Sequence, residues 1–134
     1  MAVIKVENLT RNYGAVKAVN SISFEIPKGQ IVGLLGHNGA GKSTTLKMLT
    51  GFLDPTSGSV TVDGLDVEEN QLAVQSKIGY LSESSPLYPD MTVGQYLRYV
   101  GEMRNIPEPE MAEALSSAIR STGLQDRVRR QRWN

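Results

Sequence analysis

The 134-residue sequence contains no cysteine. It therefore has neither a disulfide framework nor a thiolate metal site, which is compatible with a reducing compartment. Neither charge is in excess: 14 Lys+Arg balance 14 Asp+Glu. That removes the bulk electrostatic reason to expect nucleic acid or an anionic membrane as a direct ligand. No apolar run approaches the roughly 20 residues of a membrane-spanning helix, and Met1-Ala2-Val3-Ile4-Lys5 is no secretory signal. Internal repeats and low-complexity tracts are also missing. What remains is 40% hydrophobic residues and a mean hydropathy of −0.25, the profile of a soluble globular chain that forms one domain or part of one.

The stretch that organises the rest runs from Gly36 to Thr44 and reads G-H-N-G-A-G-K-S-T. It satisfies the phosphate-loop pattern G-x-x-x-x-G-K-[ST] through Gly36, Gly41, Lys42 and Ser43. Its surroundings agree. Gln30 to Leu35 is a short apolar run of the kind a buried parallel strand uses. Lys42 to Phe52 has helical spacing, with Leu46, Leu49 and Leu53 on one stripe. Gly36, Gly39 and Gly41 let successive N–H groups turn inward onto an anion, and the helix N-terminus adds partial positive charge. Lys42 then offers a full charge to the terminal phosphates, Ser43 a hydroxyl to Mg²⁺, and Thr44 a donor to the α-phosphate.

Along the rest of the chain, Val3 to Val6 and Ile22, Phe24 and Ile26 have strand spacing, with turns at Asn12-Tyr13-Gly14 and Pro27-Lys28-Gly29. The opening is therefore expected to be antiparallel. Asp54 to Gly58 reads as a loop, and Ser59 to Val62 as a strand closed by Asp63-Gly64. Glu68 to Gln75 is expected to form a short helix, and Lys77 to Ser82 a strand followed by a Ser/Pro-rich loop. Thr92 with Gln95 forms a capping box for a helix whose apolar face is Val93, Tyr96, Leu97 and Val100. A second helix starts near Pro107-Glu108-Pro109, carries Met111, Leu115, Ala118 and Ile119 inward, and stops at Gly123-Leu124.

Some residues read two ways by themselves. Tyr13 is either a half-buried tyrosine at a strand end, the commoner situation, or a platform on which a purine stacks. Arg127, Arg129, Arg130 and Arg132 are either an anion-binding patch or, as is more usual at a terminus, a solvated tail.

Taken together, Tyr13-Gly14, Gly36 to Thr44, Leu49-Thr50-Gly51, Pro55-Thr56-Ser57-Gly58, Val62-Asp63-Gly64 and Ile78-Gly79-Tyr80-Leu81 resemble the N-terminal part of the ATP-binding subunit of ABC transporters. Ile78 to Glu83 and Pro86 to Val93 look most like the ABC-2-type exporter or gliding-motility branch. The resemblance implies an α/β fold: a P-loop NTPase (RecA-like) core, an N-terminal antiparallel β subdomain and the start of a helical subdomain, incomplete. It divides a single truncated domain into residues 1–85, 86–126 and a tail, 127–134.

It further implies ATP and Mg²⁺ as cofactors. Tyr13 would be the adenine platform, and Gly36, His37, Asn38, Gly39, Ala40, Gly41, Lys42, Ser43 and Thr44 the phosphate loop. Lys42 and Glu83 would be catalytic, and Ser43 and Glu83 metal ligands. In the family the position of Glu83 is a glutamine that touches Mg²⁺ and the attacking water. The glutamate here keeps an oxygen ligand but adds negative charge, and the alternative reading is an exposed loop carboxylate. Implied partners are a transmembrane permease subunit and a second ATP-binding subunit, with no nucleic acid. The implied location is cytoplasmic, on the inner face of the membrane through a partner.

The family's signature loop, acidic strand ending Asp-Glu and switch histidine do not occur in these residues, and the only histidine is His37. The expectation is a truncated product, a piece of a longer chain, or a frameshift affecting Gln131 to Asn134. Alternative readings are a binding-only or non-functional fragment and a soluble non-transport ABC ATPase. A GTPase or small kinase fits less well, since no guanine-reading N-K-x-D is present.

Overall fold

The computed structural model describes residues 2–37, 39, 41–82 and 88–129. Strand β1 (Ala2–Tyr13) turns through Gly14-Ala15 into β2 (Val16–Pro27), with Tyr13 opposite Val16. Strand β3 (Ser57–Val62) pairs antiparallel with the other side of β1, and β4 (Leu65–Asp66) pairs with β3. The sheet order is β2-β1-β3-β4. The antiparallel opening is as expected. The Asp63-Gly64 turn between β3 and β4 has both residues at positive φ, 52° and 80°, as two-residue hairpins prefer.

Strict alternation along β1 would put Asn8 in the core after Ile4 and Val6. Instead the register shifts between Val6 and Leu9, with Asn8 at φ 48°. This bulge turns Asn8 outward, where its N–H donates to Ser23 Oγ at 2.9 Å, and drops Leu9 into full burial. On β2, Ser21 at φ 50° makes the matching change of phase, so that Val19 and then Ile22 and Phe24 face the same core.

Helix α1 (Lys42–Leu49) and helix α2 (Gln71–Lys77) complete that core through Met48 and Val74, alongside Val60, Val62 and Val67. Each such buried side chain contributes about 1.5–3 kcal/mol. The inward stripe of α1 is Thr45, Met48 and Leu49, and Leu46 is exposed. Of the expected leucine stripe, Leu49 and Leu53 pack against the core and only Leu46 departs from it. Thr50 ends the helix earlier than expected, and Gln71 and Gln75 of α2 donate to the carbonyls of Gly51 and Thr50. These bonds satisfy acceptors just beyond the helix end.

Two expected strands are not formed. Residues 30–37 adopt neither helix nor strand, and Ile31, Val32, Leu34 and Leu35 are exposed. The Lys77–Ser82 strand gives way to the end of α2 at Lys77 and an extended Ile78. A strand has no hydrogen bonds of its own, and among the described residues no strand pairs with either segment. Exposed apolar, unpaired backbone is a template for self-association. At micromolar concentration the chain is therefore expected to melt broadly with rising light scattering; a sharp cooperative melt without scattering would contradict this.

The chain divides into two compact units, Met1–Tyr80 and Leu81–Asn134. The second contains α3 (Val93–Met103), α4 (Glu108–Thr122) and a 3₁₀ turn (Gln125–Arg127). The capping box forms as expected: Gln95 N–H donates to Thr92 Oγ1 at 3.1 Å, and Thr92 N–H to Gln95 Oε1 at 2.9 Å. Thr92→Ala should lower stability by about 1 kcal/mol, read as a shift in denaturant midpoint; no shift would contradict the role of the box. The two helices approach at Gly101, where an added Cβ would lie 2.6 Å from Met111 Sδ. The segment after α4 is not the free tail expected from Arg127 onward. The Val128 carbonyl accepts from Gly94 N–H at 2.9 Å and Val128 is half-buried. Arg130, Arg132 and Trp133 lie outside the described residues.

Candidate functional site

The sequence change from glycines to Lys-Ser-Thr is where the backbone becomes helical. Gly41 sits at φ 91°, ψ 10°, and the first helical bond runs from Thr45 N–H to Gly41 O at 2.9 Å. Among the described residues, the N–H groups of Lys42, Ser43 and Thr44 have no acceptor. No acidic residue occupies the first turn of α1. Among the described residues, this eight-residue helix thus presents open donors and its positive dipole end to an anion, with no carboxylate in its first turn.

The sheet fixes where that helix starts. An alanine Cβ at Gly41 would come within 2.4 Å of the Ala18 carbonyl oxygen, so the loop's last glycine rests directly on β2. Lys42 Nζ donates to the Gly36 carbonyl, drawing the two ends of the loop together. Beside it is a cleft of about 340 Å³ bordered by Ala18, Val19, Leu34, Leu35, Gly41 and Lys42. Ser43 is exposed and Thr44 half-buried. His37 is exposed and makes an interaction of its own. Asn38, Ala40 and Glu83 lie outside the described residues.

Tyr13 ends β1 and is half exposed. Its cross-strand partner Val16 is two residues from Ala18, about 7 Å along a strand. One hairpin therefore carries both the tyrosine and the seat of the phosphate loop. Sequence reasoning missed Ala18, which contributes only backbone, and Arg11, whose guanidinium lies 4.9 Å from the centre of the Tyr13 ring. The i, i+2 spacing of Arg11 and Tyr13 on a strand was the available signal for the second.

The donor set suits a polyphosphate: helix N–H groups with no acceptor among the described residues, an ammonium, and a loop open at Gly39, where an added Cβ would meet nothing within 4 Å. Among the described residues no group of three or more His, Cys, Asp or Glu side chains could hold a metal. A divalent ion would rely on Ser43, phosphate oxygens and water, as Mg²⁺ commonly does. Among the same residues no helix is long and apolar enough to cross a membrane.

Comparison with known proteins bears on the family and the fold. The ABC transporter family model matches residues 19–133. An uncharacterized ABC transporter ATP-binding protein, MJ1023 of Methanocaldococcus jannaschii, is 44% identical over 84% of this chain and 38% of its own length. The linearmycin resistance ATP-binding protein LnrL of Bacillus subtilis is 34% identical over 95% of this chain and 41% of its own. A solved ATP-binding subunit of an ABC transporter superposes with a TM-score of 0.80 at 28% identity, covering 95% of this chain and 53% of that structure. The chain spans about two fifths of the length of those curated relatives. On its sequence and its fold, the chain belongs to the ATP-binding subunits of the ABC transporter family.

Proposed function

We propose that this chain holds ATP with Mg²⁺ and supplies the nucleotide-binding part of an ABC exporter's ATP-binding subunit. The observation that carries the reading is the seating of the α1 N-terminus on β2 at Gly41 and Ala18, which fixes free N–H donors beside Lys42. Lys42 exchanges the Gly36 carbonyl for the β- and γ-phosphates. Gly36 to Gly41 wrap the phosphates, Ser43 holds the metal, Thr44 bonds the α-phosphate, and Tyr13 stacks on the base. Bound Mg²⁺ would neutralise charge developing on the phosphates. Lys42 would stabilise the same charge, and Glu83 is assigned to the metal on the resemblance alone.

The working assembly in this reading pairs two ATP-binding subunits on the inner face of a membrane, beneath a transmembrane permease. The domain begins its helical part after residue 85. The resistance name of one relative and the exporter-like residues Ile78 to Val93 support export as the direction. The 134 residues themselves carry no signature loop and no acidic strand, so a polypeptide of these residues is expected to bind without turnover.

Competition experiments test the base platform. A ring stacked on a base reads a π-face and little else, so Mg-GTP should displace a fluorescent ATP analogue within about tenfold of the concentration that Mg-ATP requires. Discrimination far beyond that would mean a polar contact reads the base and Tyr13 does not act as proposed.

A further inference from the structure

The Arg11 side chain joins the Tyr13 ring to the loop that follows α1. Its guanidinium lies over the Tyr13 ring at 4.9 Å from the centroid, within cation–π range. Its Nη1 donates to the Asp54 carbonyl at 2.7 Å. Its Nε is buried with no hydrogen-bond partner among the described residues, so Nη1 and the ring contact fix the plane of the group. Asp54 belongs to the loop that follows α1, and that loop is itself held. Phe52 and Leu53 N–H groups donate to Lys47 O at 2.9 and 3.2 Å. Thr56 Oγ1 accepts from Asn12 N–H at 2.9 Å, and Thr56 N–H donates to Thr10 O at 2.8 Å. Tyr13 remains half exposed despite this clamp.

We infer that Arg11 is a positioning residue for base recognition: anchored on Asp54, it covers one face of the Tyr13 ring and presets the ring to receive a purine against its open surface. The inference rests on the reading of Tyr13 as the base platform. A ring already ordered loses less freedom on binding. Because Arg11 acts through the ring, its contribution is confined to the base half of the nucleotide. A ligand with the same phosphates and no base will not sense it.

The test compares affinities of the full chain for Mg-ATP and for Mg-tripolyphosphate in the wild type, Arg11→Met, Arg11→Lys, Tyr13→Ala and the Arg11→Met/Tyr13→Ala pair. Arg11→Met keeps an apolar stem and removes the planar cation. It should weaken ATP about two- to fivefold, leave tripolyphosphate unchanged, and add nothing once Tyr13 is alanine. Arg11→Lys keeps the charge without the planar fork, should recover only part of the loss, and carries the test if Arg11→Met does not fold. Equal losses for ATP and tripolyphosphate would show a merely structural role and overturn the inference. An undiminished Arg11 effect in the Tyr13→Ala background would also overturn it. If Tyr13→Ala weakens ATP and neither Arg11 variant does, the platform stands and only the positioning role falls. If Tyr13→Ala leaves ATP affinity unchanged, the platform itself falls.

Discussion

Mg-ATP at a hundred times its dissociation constant is expected to raise the melting temperature of the chain by about 10 °C or more, and Lys42→Ala to abolish that rise at the same concentration. The size follows from mass action. Saturation of that order stabilises the folded state by about 2.7 kcal/mol, and a unit of this size gains roughly 4–8 °C per kcal/mol. The loss in the variant follows from position. Lys42 opens α1, its Nζ bonds the Gly36 carbonyl across the loop, and its backbone N–H is one of three donors without an acceptor among the described residues. Alanine keeps the helix and its N–H groups but removes the one lysine of the Gly36–Thr44 loop, which contains no arginine. The unliganded variant should melt close to the wild type, because the lost contact is exposed and local. Equal ligand-induced shifts in the two proteins would remove the phosphate loop from the account.

Gly58→Ala should have the larger effect on the fold itself. Gly58 lies in β3 at φ 84°, opposite the β1 bulge. A Cβ there would come within 2.2 Å of the Asn8 carbonyl oxygen and 2.5 Å of its carbon. Both are backbone atoms and cannot swing aside. The bulge cannot relax cheaply either, since it is what turns Leu9 into the core. Left-handed backbone costs a non-glycine residue about 1 kcal/mol or more, and the overlap adds to it. A loss of about 3 kcal/mol or more is expected, at the severe end for single substitutions. Gly64→Ala is the control. It has similar φ, 80°, in the hairpin turn, with nothing within 4 Å of the added Cβ, and so should lose only the conformational part, about 1 kcal/mol. Equal denaturant midpoints for the two variants would refute the overlap.

Which features could be read in advance follows from how local their causes are. The capping box at Thr92 and Gln95, the Asp63-Gly64 turn and the helix start at Lys42 are set by a few neighbouring residues, and each formed where its residues stand. The antiparallel pairing of β1 and β2 was legible from strand spacing on either side of a turn, but the turn is Gly14-Ala15 and not the expected Asn12-Tyr13-Gly14, whose first two residues end β1. The Gln30–Leu35 strand failed because a strand is made by its neighbours, and no local signal reports whether they are present. Of the expected leucine stripe, Leu49 and Leu53 pack against the core and Leu46 is exposed, while the fully buried side chains of α1 are Thr45 and Met48. Leu9 reached the core through a bulge that alternation cannot anticipate.

The site follows the same division. The nine residues from Gly36 to Thr44 announce phosphate chemistry through their types and spacing, independent of the fold. What positions them was not legible. Ala18 acts by its carbonyl alone, and Arg11 acts on a ring whose role is itself read from resemblance. Glu83, expected from the resemblance as a metal ligand, lies outside the described residues.

The most direct test of the central claim is an amide ¹H–¹⁵N titration of the chain with Mg-ATP, followed by the same titration with Mg-tripolyphosphate. If the phosphate loop is seated on β2 and Tyr13 receives the base, both ligands will shift Gly39, Gly41, Lys42, Ser43 and Thr44, with smaller shifts at Ala18. Only ATP will also move Arg11, Tyr13 and Val16. Shifts confined to other residues, or none at these glycines at saturating ligand, would contradict the assignment of this loop as the nucleotide site.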